Sequence, residues 1–268
     1  MIIEIICIGN ELLFGSTINS NAYWLEGQIS RAGGIIKRVT VIPDDLEEIS
    51  ETVKQSLARK PDILITTGGL GVTYDDLTLE GVAVALGKRI LLDQQAIEMI
   101  KKSYVRRKLP YKMTKTRLKM AKIPEGSTPI ENPVGSAPAI IEESGKTKIF
   151  CMPGVPSEMM SMFQKEVLPI VKEEAGKFVS KEINYIGRGV NESEIAPVLA
   201  KIVKRYPRNE IYLKTHPQGY LHRGEKKISQ IRIQIISRGS QEKEVDKKLN
   251  TIANRIKKEI SRRKGKIM

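Results

Sequence analysis

Apolar residues follow two rhythms along the first part of this chain. Short unbroken runs, IIEIICIG (2–9), IIKRVTVI (35–42) and DILITT (62–67), predict strands, the first of them of the kind buried in a parallel sheet. Between and after them, apolar positions three and four apart predict helices over 19–34, 43–59 and 77–87. The first of these stops at a Gly-Gly pair and the third at Gly87. Strand–helix alternation of this kind predicts an α/β, doubly wound, mostly parallel sheet. Residues 101–122 read as largely helical, 123–138 as a Pro/Gly/Ser loop, and AIIEE (139–143) with KIFCMPG (148–154) as a hairpin-like pair. A closing helix over 155–176 is broken or ended near Pro169. The rhythm then changes to strand (181–187), helix (191–206), strand (210–215), loop, strand (230–237) and a long basic helix (241–264). That βαββα order predicts a smaller α+β domain, so the expected division is 1–175 and 176–268.

Ligands of doubly wound sheets sit at the carboxyl ends of the strands, and the unusual residues of the first half cluster there. ITTGGLGVTYDDLT (65–78) places Gly68, Gly69 and Gly71 ahead of Asp75 and Asp76. The glycines let a phosphate approach the backbone, and the following helix start adds amide donors. The spacing is neither GxGxxG nor a Walker loop. Two carboxylates would repel a bare phosphate, so a divalent cation, Mg²⁺ or Co²⁺, bridging Asp76, Asp75 and Glu11 to it makes sense of the pairing. The plainer reading is a tight turn with Asp76 as helix cap.

IGNELLFGSTINSN (8–21) also starts at a strand end. It offers Gly9, then Glu11 for a metal or a ribose hydroxyl, and Asn19 or Ser20 as the cap of the next helix. Asp44 stands three residues before Glu47, the spacing of a capping box, yet its place after the second strand keeps it a site candidate. ENPVGSAP (131–138) and MPGVPSE (152–158) read as two rigid loops walling the same cleft, through Asn132, Gly135, Ser136, Gly154, Pro156 and Glu158. From 101 to 122 there are ten basic residues and no acidic one; Arg117 is the one expected to contact phosphate.

Composition changes this picture in one respect. The net charge of +14 is concentrated in residues 178–268, which carry 22 Lys and Arg against 9 Asp and Glu. A Lys-rich solvated surface, as in proteins of hot environments, is weighted above a nucleic-acid partner, and residues 176–268 contain no GxxG loop to clamp an RNA backbone. Cys7 and Cys151 sit in apolar runs and read as buried inert thiols. His216 and His222 lie in a Pro/Gly loop without companion ligands, and Trp24 reads as core. With no apolar run of membrane-spanning length and no signal-peptide pattern, a cytoplasmic protein without membrane association is expected.

IGNELLFGSTINSNAYWL, TTGGLGVTYDDLT, NPVGSAP and MPGVPSEM, in this order, resemble the N-terminal part of the competence/damage-inducible CinA family. That family lies within the molybdopterin-binding superfamily of MogA, MoaB and MoeA. GRGVNESEIAPVL (187–199) is similar to the start of the KH-like domain that follows in CinA proteins. The resemblance implies a three-layer α/β domain that binds nucleotide or pterin phosphates, a smaller KH-like domain, and a homodimer. It implies metal-dependent ADP-ribose pyrophosphatase activity in the CinA branch and adenylylation of molybdopterin in the MogA branch, where aspartates match Asp76 and Asp44. Leu70 stands where the MogA branch has Thr, which favours CinA. Full-length CinA adds a nicotinamide mononucleotide deamidase domain for which 268 residues leave no room, so deamidation is not expected. The primary expectation is therefore a cytoplasmic hydrolase of nucleotide pyrophosphates. Asp76, Asp75 and Asp44 would do the chemistry, with molybdopterin binding or adenylyl transfer as the alternative.

Overall fold

In the computed structural model, which describes residues 1–110, 112–207, 210–223 and 226–268, the apolar runs become strands of one sheet with helices on both sides. The chain divides into two units, Met1–Ala175 and Gly176–Met268.

The first unit opens with β1 (Ile2–Ile8), α1 (Asn10–Leu13), α2 (Ser20–Ala32), β2 (Ile35–Ile42), α3 (Leu46–Ala58), β3 (Ile63–Thr67) and α4 (Thr78–Leu86). It continues with β4 (Ile90–Leu92), α5 (Gln94–Arg106), α6 (Lys115–Lys119), β5 (Lys122–Pro124), β6 (Thr128–Ile130), β7 (Ala139–Ser144) and β8 (Thr147–Met152). It closes with α7 (Pro156–Met162) and α8 (Leu168–Ala175). Six strands form one sheet in the order β2-β1-β3-β8-β7-β6. β2, β1, β3 and β8 run parallel, while β7 and β6 pair antiparallel at one side. The mostly parallel three-layer α/β architecture read from the sequence is therefore present.

Strand alternation explains why β1 is apolar on both faces. Ile3, Ile5 and Cys7 pack with Leu25 and Ile29 of α2 and with Phe163 and Val167. Ile6 and Ile8 pack with Ile49 and Val53 of α3 and Leu79 and Val82 of α4. Trp24 meets Phe163 edge-on, with ring centroids 5.5 Å apart, and belongs to the core. Both cysteines are buried; burial raises the Cys7 thiol and pushes that of Cys151 up to about 12.

Three segments depart from the expected pattern. The helix over 155–176 does not end at Pro169. A π-helical turn, Phe163–Val167, joins α7 to α8 just ahead of the residue that lacks an N–H. In the basic stretch, residues 107–110 and 112–114 are not helical, and β4 pairs with β5 as a separate two-stranded ribbon that no local pattern announces. In the second unit the presumed loop around His216 is strand.

That unit comprises β9 (Val179–Arg188), α9 (Glu192–Val203), β10 (Ile211–Arg223), β11 (Lys226–Gly239), α10 (Glu242–Arg262) and β12 (Lys266–Ile267). Its antiparallel order is β10-β11-β9-β12. Pro217 and Gly219 fit inside β10 because it is an edge strand, with a register irregularity between Pro217 and Tyr220. Ile195, Leu199 and Ile202 of α9 and Leu249, Ile252, Ile256 and Ile260 of α10 cover one face of the sheet. Among the described residues no helix is long and apolar enough to cross a membrane.

One charge breaks the apolar rule of β1. Glu4, 3% exposed, accepts from Ser56 Oγ at 2.9 Å and from Arg59 Nε and Nη2 at 2.8 and 2.7 Å. Burial raises its carboxyl, but the Arg59 and Ser56 bonds outweigh this and hold it below the ordinary 4.5. The stabilisation is therefore complete above pH 4.5 and is lost as pH falls through the lowered value. Arg59→Ala is expected to cost roughly 2 kcal/mol near pH 7, less than for a fully enclosed pair because the guanidinium is partly exposed. Urea melts of the two proteins should converge below pH 4.5. A gap that stays constant with pH would assign the loss to packing.

Candidate functional site

Because β1, β2, β3 and β8 run the same way, the segments that follow them emerge on one edge and enclose a cleft of about 500 Å³. That volume suits a small-molecule ligand. Its walls are Gly9 and Glu11 after β1, Asp44 after β2, the 68–76 loop after β3, Ser136 and Ala137 ahead of β7, and Gly154 to Glu158 after β8.

The 68–76 loop is shaped by its glycines. Gly68 has φ +107°, and a Cβ there would lie 2.1 Å from the Ile8 carbonyl oxygen, so only glycine fits. The loop is then fastened to the start of α4: Thr78 Oγ1 donates to the Gly68 carbonyl at 2.8 Å and Thr78 N to the Gly69 carbonyl at 3.2 Å. Among the described residues, the amides of Gly69, Leu70 and Gly71 have no protein acceptor, nor do those of Gly154 and Val155 on the opposite wall. Backbone donors left unsatisfied along a cleft invite an anionic ligand.

The two aspartates of that loop converge on Thr73. Asp76 Oδ2 accepts from Thr73 N and from Thr73 Oγ1, each at 2.7 Å, and Asp75 Oδ1 also lies on that hydroxyl. Thr73 Oγ1 carries one proton and can satisfy only one carboxylate at a time. The Lys119 ammonium, which donates to the Thr73 carbonyl, supplies some positive charge, and the Thr73 hydroxyl holds the Asp75 carboxyl below its usual range. Asp76 does not cap α4: the cap residue is Leu77, without a side-chain bond.

Asp44 and Asp45 divide two tasks that the sequence offered to Asp44. Asp45 Oδ1 caps α3, accepting from Glu47 N and Glu48 N at 3.0 Å. Asp44 is left to face the cleft, where Oδ2 accepts from Asn10 N at 2.8 Å. Burial raises its carboxyl, and Glu11, Asp75 and Asp76 raise it further by like-charge repulsion. With Glu158 these make five carboxylates around one cleft, against one arginine.

That arginine is Arg107 and not Arg117. Arg107, just past the end of α5, lines the cleft and donates to Ser136 Oγ. Arg117 donates to the Lys112 carbonyl at 2.6 Å and lies 4.2 Å above the Tyr104 ring, away from the cleft lining. Asn132 and Gly135 lie behind the wall. Asn132 Oδ1 accepts from Val134 N and from Gly135 N, at 2.7 Å, while its Nδ2 donates to the Glu158 carboxylate at 2.6 Å. The Gly135 amide is therefore not open to a ligand, and a Cβ at 135 would displace the Glu158 carboxylate from its present position. Pro156 lines a smaller neighbouring cavity with Glu11, Asn19, Asn21 and Gly154. There Asn21 Nδ2 donates to the Gly154 carbonyl at 2.7 Å and Asn19 caps α2. The nearby threonine and lysine, Thr73 and Lys119, were not singled out by motif; the Thr-x-Asp-Asp spacing was the available signal.

A divalent cation fits this set in a limited way. No three His, Cys, Asp or Glu side chains among the described residues are arranged to hold a metal by themselves. The crowding on Thr73 leaves carboxylate oxygens short of positive partners, and Mg²⁺ ordinarily takes only one or two carboxylates, filling the remaining positions from phosphate and water. Asp75 and Asp76 suit that role, with Glu11 across the cleft.

The model of a family described as a probable molybdopterin-binding domain matches residues 4–173. A protein of Aeropyrum pernix is 42% identical over 236 residues, covering 88% of this chain and 85% of the other. One of Pyrococcus furiosus is 40% identical over 228 residues, covering 82% and 86%. The crystal structure of the protein CinA of Thermoplasma acidophilum, described as of unknown function, is 40% identical with a TM-score of 0.57 and covers 62% of this chain and 96% of that one.

The carboxylate crowding makes a measurable prediction. The folded state holds the Asp44 proton more tightly than the unfolded chain does. Ionisation therefore costs nothing below the ordinary value of 3.8, and the cost develops as pH rises through the raised value and then stays constant. Asp44→Asn should raise the melting temperature near pH 7 by roughly 2 °C and give no gain near pH 3. A loss of stability near pH 7 would mean that the Asn10 bond outweighs the repulsion.

Proposed function

The chain belongs to the probable molybdopterin-binding domain family, and on that footing we propose that its cleft holds the phosphate-bearing end of molybdopterin and serves a step of cofactor synthesis at that phosphate, transfer of an adenylyl group. The observation that carries this reading is the combination in one cleft of unbonded loop amides with an excess of carboxylates. Amides alone would suit any anion; the added carboxylates suit an anion that arrives with a cation.

In this reading Gly69, Leu70 and Gly71 on one wall and Gly154 and Val155 on the other receive phosphate oxygens, and Arg107 neutralises part of their charge. A phosphate oxygen of the pterin attacks the α-phosphorus of ATP and the bond to the β,γ-pyrophosphate breaks, releasing pyrophosphate. Asp75 and Asp76, with Glu11, would hold the divalent cation. When bound, that ion offsets phosphate charge and polarises a phosphoryl oxygen. Asp44, held by Asn10 and repelled by its acidic neighbours, orients the attacking group.

Hydrolysis of a nucleotide pyrophosphate such as ADP-ribose is the second reading. Leu70 in the glycine loop, where the MogA branch has Thr, favours it. The same cleft would serve, with water in place of the pterin phosphate.

Incubation of the purified protein with molybdopterin, ATP and Mg²⁺ is expected to release pyrophosphate and yield an adenylylated pterin. Asp76→Asn should slow this on the order of 100-fold, the equivalent of about 2.7 kcal/mol of transition-state stabilisation, without lowering the melting temperature. AMP formation from ADP-ribose, with no pyrophosphate release from ATP, would replace the first reading by the second. Absence of both, with no binding of pterin or nucleotide, would overturn the assignment of the cleft.

A further inference from the structure

The two helices of the second unit cover one face of its sheet, and the strand registers define what stands on the other. Tyr212, Lys214 and His216 of β10 lie beside Ile236, Gln234 and Arg232 of β11. These lie in turn beside Glu182, Asn184 and Ile186 of β9, while Gln230 is followed by Arg188 and then Lys266 of β12. No element of this unit packs over that face: the buried core residues Ile231, Ile233 and Ile235 all belong to the alternate, helix-facing positions.

On the helix side, Lys181 pairs with Glu242 and Asp246, Lys248 with Glu210, and Arg262 and Arg263 with Glu259, at 2.6–2.8 Å. On the open face Lys214, Arg232 and Lys266 make no ion pair among the described residues. The carboxylate described there, Glu182, is taken up by the amides of Asn184 and Gln234, both at 2.8 Å. Helix cations such as Lys201, Lys243, Lys247 and Lys258 likewise have no ion pair among the described residues, so what distinguishes the sheet cations is their register beside Tyr212, Ile186 and Ile236.

We propose that this open face binds single-stranded nucleic acid. Unpaired cations spaced along a flat sheet match a run of phosphates. Tyr212, 44% exposed, with the half-buried Ile186 and Ile236, provides a stacking and apolar platform between them. Gln230 supplies an amide that hydrogen-bonds base edges. A second copy of the chain is a poorer occupant, because a two-fold contact would set these cations against themselves. The absence of a GxxG loop from residues 176–268 excludes one way of clamping the backbone and leaves the sheet face as the surface used.

The test is fluorescence anisotropy of the full chain with labelled twenty-nucleotide uridine RNA and thymidine DNA, between about 50 and about 300 mM KCl. Saturable binding to one or both is expected, and the two arms show which sugar is preferred. The affinity should fall with salt by a log–log slope of about 0.7 per phosphate contacted. Lys214→Gln with Arg232→Gln should weaken binding at least about tenfold and flatten the slope by about 1.4, two phosphates' worth. Tyr212→Ala should weaken it about tenfold and leave the slope unchanged. Lys181→Gln with Lys248→Gln, on the helix side, should change neither. No binding at the lowest salt, equal losses from both double variants, or binding to phosphatidylserine vesicles alone would overturn the proposal. Melting curves establish that each variant is folded, and if the double charge variant is not, the exposed Tyr212→Ala decides.

Discussion

The contact between Gly68 and the Ile8 carbonyl governs the geometry of the cleft. β1 and β3 are neighbours in a parallel sheet, so their ends must either diverge or touch, and the missing side chain at 68 lets them touch. From that contact the rest follows in sequence. The chain turns through Gly68 and Gly69, Thr78 ties both carbonyls to the first turn of α4, and the segment between is closed into a loop by Thr73 and Asp76. Gly154 nests against the same point from β8: a Cβ there would come within 3.3 Å of Gly68 Cα. Three loops are thus held close enough for their amides to face one ligand.

The same closeness gathers negative charge. Glu11, Asp44, Asp75 and Asp76 come from three strand ends, and burial, with repulsion from the other three added to it, raises Asp44. A fold selected for stability alone would spread these groups, as the core shows with Glu4, which is buried but fully engaged by Arg59 and Ser56. The contrast separates the buried Glu4 from the partly exposed acids of the cleft. At Glu4 the partners are built in; at the cleft they are left to a ligand. Local conflict of the second kind is the expected signature of a functional site.

Much of this was legible in the sequence because hydrophobic rhythm and glycine placement are local signals. The strands β1, β2 and β3, the edge on which they end, and the grouping of Gly68, Gly69, Gly71, Asp75 and Asp76 could all be read without coordinates. What could not be read depended on distant partners. PDD gives no local reason for Asp45 to cap and Asp44 to face the cleft; Asn10, 34 residues earlier, decides it. Within the basic stretch, Arg107 and Arg117 look alike, and the helix end at Arg106 sets which one meets Ser136. Asn132 and Gly135 were correctly grouped with the loop but serve behind its surface. The π-helical turn before Pro169 and the Pro217–Gly219 stretch inside β10 show proline tolerated where a widened turn or an edge strand removes the need for its N–H.

The two units present their charged groups in opposite ways. In the first, near-balanced charge surrounds a cleft in which carboxylates predominate, so discrimination rests on backbone amides of fixed geometry and on whatever cation accompanies the ligand. Such a site is selective and small. In the second, cations stand unpaired on an open sheet, where attraction is long-ranged, weakly oriented and screened by salt. Helix cations such as Lys201, Lys243, Lys247 and Lys258 also lack an ion pair among the described residues, so charge by itself does not single out a face. What singles out the sheet is register: Lys214 and Arg232 stand beside Tyr212, Ile186 and Ile236, and a polyanion that carries flat apolar groups needs both kinds of contact on one surface.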